Sequence, residues 1–83
     1  MGNKIIKLIT GEILIGTIDS ILSQIRLIKP FDVFDGKISP YCIYHLGTAP
    51  KAVKLEQKNI IWMMPLEDFP EIESVYLKAI SDS

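Results

Sequence analysis

Leu8-Ile9-Thr10-Gly11-Glu12-Ile13-Leu14-Ile15-Gly16-Thr17-Ile18 reads as the end of one strand, a tight turn at Thr10-Gly11, and a second strand. Glycine takes the positive φ that such a turn needs without a Cβ clash. Residues 12–19 then alternate, with Leu14, Gly16 and Ile18 on one face and Ile13, Ile15 and Thr17 on the other. Both faces are apolar, which suits a strand buried on both sides or one lying at an interface. A glycine inside such a strand, Gly16, marks a bend or a close approach to a neighbouring strand.

Working outward, residues 4–10 form the first strand, and residues 20–23 a short connection to a third strand over 25–34, interrupted at Pro30. Asp35-Gly36 is the clearest hairpin turn, since both residues tolerate positive φ. Residues 41–47 are expected as its returning arm, kinked at Ala49-Pro50-Lys51 and resuming over 53–56. Gln57-Lys58-Asn59 makes the next turn, and residues 60–64 a last strand without a polar residue, closed by Pro65. The period then changes. Ile72, Val75, Tyr76, Ala79 and Ile80 recur at helical spacing. Asp68-Phe69-Pro70-Glu71 offers an N-cap acid, an early proline and a glutamate three residues on. So short a helix does not persist alone and is expected to dock on the barrel or on a neighbouring subunit.

The reading is one mainly β domain: a five-stranded, strongly bent antiparallel barrel over residues 1–66 and an acidic amphipathic helix over 67–83. At 83 residues it is small, yet 48% of its residues are apolar and 23% charged, with a mean hydropathy of +0.28. That excess, with a net charge of −1, points to subunit contacts. The charge is divided unevenly. Residues 1–66 carry eight basic and five acidic side chains, whereas residues 67–83 carry one basic and five acidic. A mildly basic body is compatible with a polyanion partner. One cysteine, Cys42, forms no internal disulfide. Lys7 interrupts the early apolar run, so no signal-peptide core is read there. No stretch approaches the ~20 mostly apolar residues of a membrane span. A cytoplasmic protein without a membrane partner is expected.

The opening segment resembles the first motif of the Sm-like (LSm) family, with Gly11, Leu14, Gly16 and Ile18 at its four marked positions. Leu55, Ile60 and Met63, with Pro65 after the last strand, resemble the second motif. The resemblance covers about residues 4–66; another small SH3-like or OB-like barrel is the alternative. It implies a closed homo-oligomeric ring of about five to seven subunits, in which the last strand pairs with the fourth strand of the next copy. Val53, Leu55, Ile60, Ile61, Trp62 and Met63 would form that interface.

Family members that bind RNA usually carry Asp-x-x-x-Asn after the second strand and Arg-Gly in the second motif. Here the first loop is shorter, with Gln24 near the asparagine's place, and Glu56-Gln57 stand where Arg-Gly would. A carboxylate in place of a guanidinium removes a stacking cation and repels phosphate. Lys58 and Asn59 keep one charge and one amide. The resemblance thus implies a non-enzymatic ring binding single-stranded RNA at its pore through Gln24, Gln57, Lys58 and Asn59, or a scaffold ring without nucleic acid.

Little else in the chain suggests chemistry. Cys42 and His45, three apart on an expected strand, point to opposite faces and are too few for a metal site, so both are read as packing residues. Asp32 is read as solvated and Asp35 as a turn residue. No nucleophile–base set or phosphate loop can be assembled, so neither an enzyme, a cofactor nor a small-molecule substrate is expected. Gly11, Gly16 and Gly36 are read as structural.

Overall fold

The computed structural model describes residues 2–21 and 24–82, with the backbone alone for Ile21, Tyr44 and His45. Six strands, β1 (Gly2–Leu8), β2 (Ile13–Ile21), β3 (Gln24–Phe34), β4 (Lys37–Pro40), β5 (Ala52–Leu55) and β6 (Ile60–Pro65), are joined by two helices. These are the single turn α1 (Ile43–Leu46) and the C-terminal α2 (Pro70–Ser81). The strands form one antiparallel sheet in the order β4-β3-β2-β1-β6, with β5 pairing a second stretch of β3.

Sequence chemistry places the first turns. Leu8 and Glu12 close the β1–β2 connection, with the Leu8 N–H donating to the Glu12 carbonyl at 2.9 Å and Gly11 at φ 95°. Asp35 and Gly36 take φ 53° and 74° in the β3–β4 hairpin, both in the left-handed region that a two-residue turn requires. Gly16 is needed for space. A Cβ there would lie 2.5 Å from Leu27 Cγ and 2.9 Å from the Ile28 carbonyl oxygen, where β2 crosses β3 with a register shift between Ile15 and Thr17.

The returning arm departs from expectation. Residues 41–47 are not a strand: the arm ends at Pro40, and Cys42, at φ 62°, turns the chain into α1. The cause lies in β3. Lys29 has φ 53° and Pro30 has no N–H, so the ladder to β4 stops at Phe31–Pro40 and β3 takes β5 as partner from Ile28 back to Ile25. Residues 41–51 bridge that exchange, tied by the Tyr41 N–H to the Pro30 carbonyl and the Lys29 N–H to the Lys51 carbonyl. One expected strand is therefore two. The opposed-face reading of Cys42 and His45 falls with it, and the His45 side chain lies outside the described residues.

Nor is the barrel closed. Among the described residues β6 pairs only β1, and β5 pairs only β3. The reason is local: residues Gln57–Asn59 form a 3-10 turn whose Asn59 N–H bonds the Glu56 carbonyl, so the chain crosses from β5 to β6 without a ladder.

Both faces of the sheet are buried, and both by this chain. On one, Ile5 and Ile15 meet Leu66 and Tyr76, with Phe31, Trp62, Met64, Phe69, Ile72 and Ile80 around them. On the other, Ile6, Leu8, Leu14 and Leu27 pack with Ile18, Val53, Leu55, Ile60 and Met63. Each fully buried aliphatic side chain contributes about 1.5–3 kcal/mol. The two-sided strands are thus covered within the chain, with α2 as a layer over one face, while Ile9, Phe34, Leu46, Ile61, Val75 and Leu77 remain exposed. Tyr76 anchors that layer. It is fully buried, its hydroxyl donates to the Lys29 carbonyl at 3.0 Å, and its ring meets Phe31 edge-on with centroids 5.4 Å apart. Burial raises its pKa, with the Thr17 hydroxyl opposing. Helix α2 begins with Pro70 at its first turn, after Phe69. Asp68 lies in the preceding 3-10 turn (Leu66–Asp68) and does not cap it. Val75 faces solvent because Phe69, Ile72, Tyr76 and Ile80 already fill the contact stripe.

Candidate nucleic-acid interface and assembly edges

The residues expected to meet RNA gather at one end of the sheet. Ile25 pairs Leu55, so extending that register by one residue sets Gln24 opposite Glu56, the residue that enters the 57–59 turn. The turn is held against the β1–β2 connection by the Ile9 N–H, which donates to the Asn59 carbonyl at 2.9 Å. Gln24, Gln57 and Lys58 are exposed and Asn59 is half-buried. The Lys58 ammonium lies 3.2 Å from Glu56 Oε2, so the cation of this loop is already paired with a carboxylate. Leu22 and Ser23, in the loop where the family's base-reading residues would fall, lie outside the described residues.

Further cations line β3 and β5. Arg26 and Lys54 face each other across the ladder, Arg26 is bound to Asp19, and Lys29 and Lys51 are exposed neighbours. The sequence reading missed this group because its members lie far apart along the chain. Only the partner exchange on β3 brings residues 26–29 beside 51–54.

The expected interface residues divide. Val53, Leu55, Ile60 and Met63 pack into the core on one face and Trp62 against the α2 layer on the other. Ile61, beside the register shift in the β1–β6 ladder, is 55% exposed. The free sides of β5 and β6 therefore offer a partner backbone N–H and C=O groups, with Ile61 as the large apolar side chain among them.

Two of the grooves that border the sheet are roomy. One, of about 670 Å³, runs between the β1–β2 turn and the β3–β4 hairpin past Glu12, Asp32, Lys37 and the 82%-exposed Phe34. The other, of about 580 Å³, lies over Pro30, Phe31, Pro40, Pro50 and Ile80. Tyr41 has its phenol pushed up to about 12, by burial first and then by the carboxylate of Glu12. Among the described residues no three His, Cys, Asp or Glu side chains are grouped to hold a metal ion. No helix of the described residues is long and apolar enough to cross a membrane.

The chain matches no protein-family model, and no curated protein matches it in sequence.

Proposed function

We propose that this chain is an Sm-like module that assembles into a closed homo-oligomeric ring and binds single-stranded RNA at the end of the sheet formed by Gln24, Gln57, Lys58 and Asn59. One observation carries the assembly. Among the described residues β4, β5 and β6 each pair a single strand; β5 and β6 are separated by a 3-10 turn and paired to different internal strands. A free edge is a template for another strand. Docking β5 of one copy on β6 of the next uses two of these edges, and a head-to-tail contact of that kind closes as a ring when its rotation allows. Each copy would then present its 57–59 turn at the same end, giving a circle of amides and cations of the kind that holds a single strand by phosphate and stacking contacts.

A specific observation favours the rival reading, a scaffold ring without nucleic acid. Glu56 sits 3.2 Å from Lys58 and cancels the charge that would meet phosphate. The readings separate in one titration of labelled oligo-U and oligo-A, followed by anisotropy at low and high salt. Salt-sensitive binding that Lys58→Ala weakens supports the RNA site; absence of binding at low salt, or indifference to that substitution, leaves the scaffold. Assembly is read separately by light scattering after gel filtration. A folded monomer of the wild-type chain at micromolar concentration defeats the ring, and so does a mass unaltered by Ile61→Glu.

A further inference from the structure

Where β3 changes partners a groove of about 580 Å³ opens, lined by Pro30, Phe31, Pro40 and Pro50 and, from α2, by Ile80. Its position follows from the backbone. Lys29 at φ 53° and Pro30 without an N–H end the β4 ladder at Phe31–Pro40, and β5 joins β3 only from Ile28. Three carbonyls of this region are already engaged within the chain. That of Lys29 accepts the Tyr76 hydroxyl at 3.0 Å, that of Pro30 the Tyr41 N–H at 3.0 Å, and that of Lys51 the Lys29 N–H at 2.9 Å. The three prolines have no N–H to give. Among the described residues that line the groove, Lys29 and Lys51 alone are charged. Both are exposed, and neither forms an ion pair among the described residues.

These features choose between occupants. A peptide laid in the groove would bring its own N–H and C=O groups against proline rings and carbonyls already taken, and a buried polar group left unpaired is costly. An alkyl chain carries no such groups and gains with every methylene it buries. The two lysines fix the sign of the polar end, which must be negative. A mainly apolar groove of this size, with a few charged groups to orient what enters it, has the ordinary form of a small-ligand site. We propose that it binds a long-chain carboxylate as a single molecule, the alkyl chain against Pro30, Phe31, Pro40 and Ile80 and the carboxylate held by Lys29 and Lys51. The site is separate from the 57–59 turn and requires no second copy of the chain.

Amide NMR of the isotope-labelled full chain, titrated with dodecanoate below its micelle-forming concentration, both locates and measures the binding. Shifts should gather at Ile28, Lys29, Phe31, Ala49, Lys51 and Ile80. Octanoate should bind about tenfold more weakly or worse, since each lost methylene forfeits buried apolar surface. Lys29→Gln/Lys51→Gln changes two exposed side chains and should weaken dodecanoate about fivefold. The same variant should bind dodecanol as wild type does, which also shows that its groove is intact. Absence of dodecanoate binding overturns the proposal, as do shifts centred on Phe34 and the other groove, equal affinity for octanoate, or a double variant that binds dodecanoate like wild type. A response to vesicles of anionic phospholipid, or to an apolar acidic peptide, without one to monomeric dodecanoate overturns it too, and would make the groove a membrane or protein contact.

Discussion

Replacing Gly16 by alanine tests the close crossing of β2 over β3. The added methyl would stand 2.5 Å from Leu27 Cγ, 2.7 Å from Leu27 Cδ1 and 2.9 Å from the Ile28 carbonyl oxygen. Leu27 is fully buried, so its side chain has little room to retreat. The third contact is backbone, in a strand paired on both sides, and no rotamer change relieves it. Overpacking of a filled core costs about 1–3 kcal/mol. Alanine returns about 0.4–1 kcal/mol by restricting the unfolded chain. A net loss of about 1–2 kcal/mol follows, a large share of the total for a domain of this size. It corresponds to a drop in Tm of about 4–16 °C. Urea unfolding followed by Trp62 emission measures it, with Gly2→Ala as the control, since a Cβ at Gly2 meets nothing within 4 Å. A Gly16→Ala midpoint equal to or above wild type, at unchanged m, would refute the steric account of this bend.

Two other outcomes follow from the α2 layer and the loop beside α1. Tyr76→Phe removes the hydroxyl that satisfies the Lys29 carbonyl inside the protein and should cost about 1–2 kcal/mol in the same unfolding assay; no loss would mean that water reaches that carbonyl. Tyr41 ionises at about 12 in the folded protein against an ordinary value of 10.0. The folded state thus favours the neutral phenol, and the stability this contributes is fully present below pH 10 and is lost as pH rises towards 12. Denaturant midpoints should fall over that window, and less steeply in Tyr41→Phe; parallel slopes would show that another group governs the alkaline limb.

Much of the fold is legible along the chain because its determinants are local. Gly11, Asp35 and Gly36 need positive φ, and the change of period after Pro65 marks the helix. The doubled face of residues 13–18 correctly announces burial on both sides. An apolar face does not say whether a helix of the same chain or a neighbouring subunit covers it, and the fold puts α2 over one of the two faces. Tyr76 closes that question through a contact 47 positions away, with Lys29. The fourth strand misleads for the same reason. Pro40 and Pro50 suggest kinks, but the positive φ of Lys29 and the exchange of β4 for β5 depend on which strand lies alongside.

The candidate site follows this division. Gln57, Lys58 and Asn59 are contiguous, so the sequence alone assigns them to one turn. That Lys58 is paired with Glu56, and that Gln24 stands at the same end, depends on rotamer and register. By itself the sequence determined the antiparallel β character, the tight turns, the terminal helix and the split between a basic body and an acidic tail. Only the tertiary structure decided that the helix covers the chain's own sheet, and that among the described residues the sheet stays open with β5 and β6 each paired on one side. Turns and periodicity are set by each residue's own dihedral and burial preferences; layering, strand exchange and edges are set by contacts between residues that chain order keeps apart.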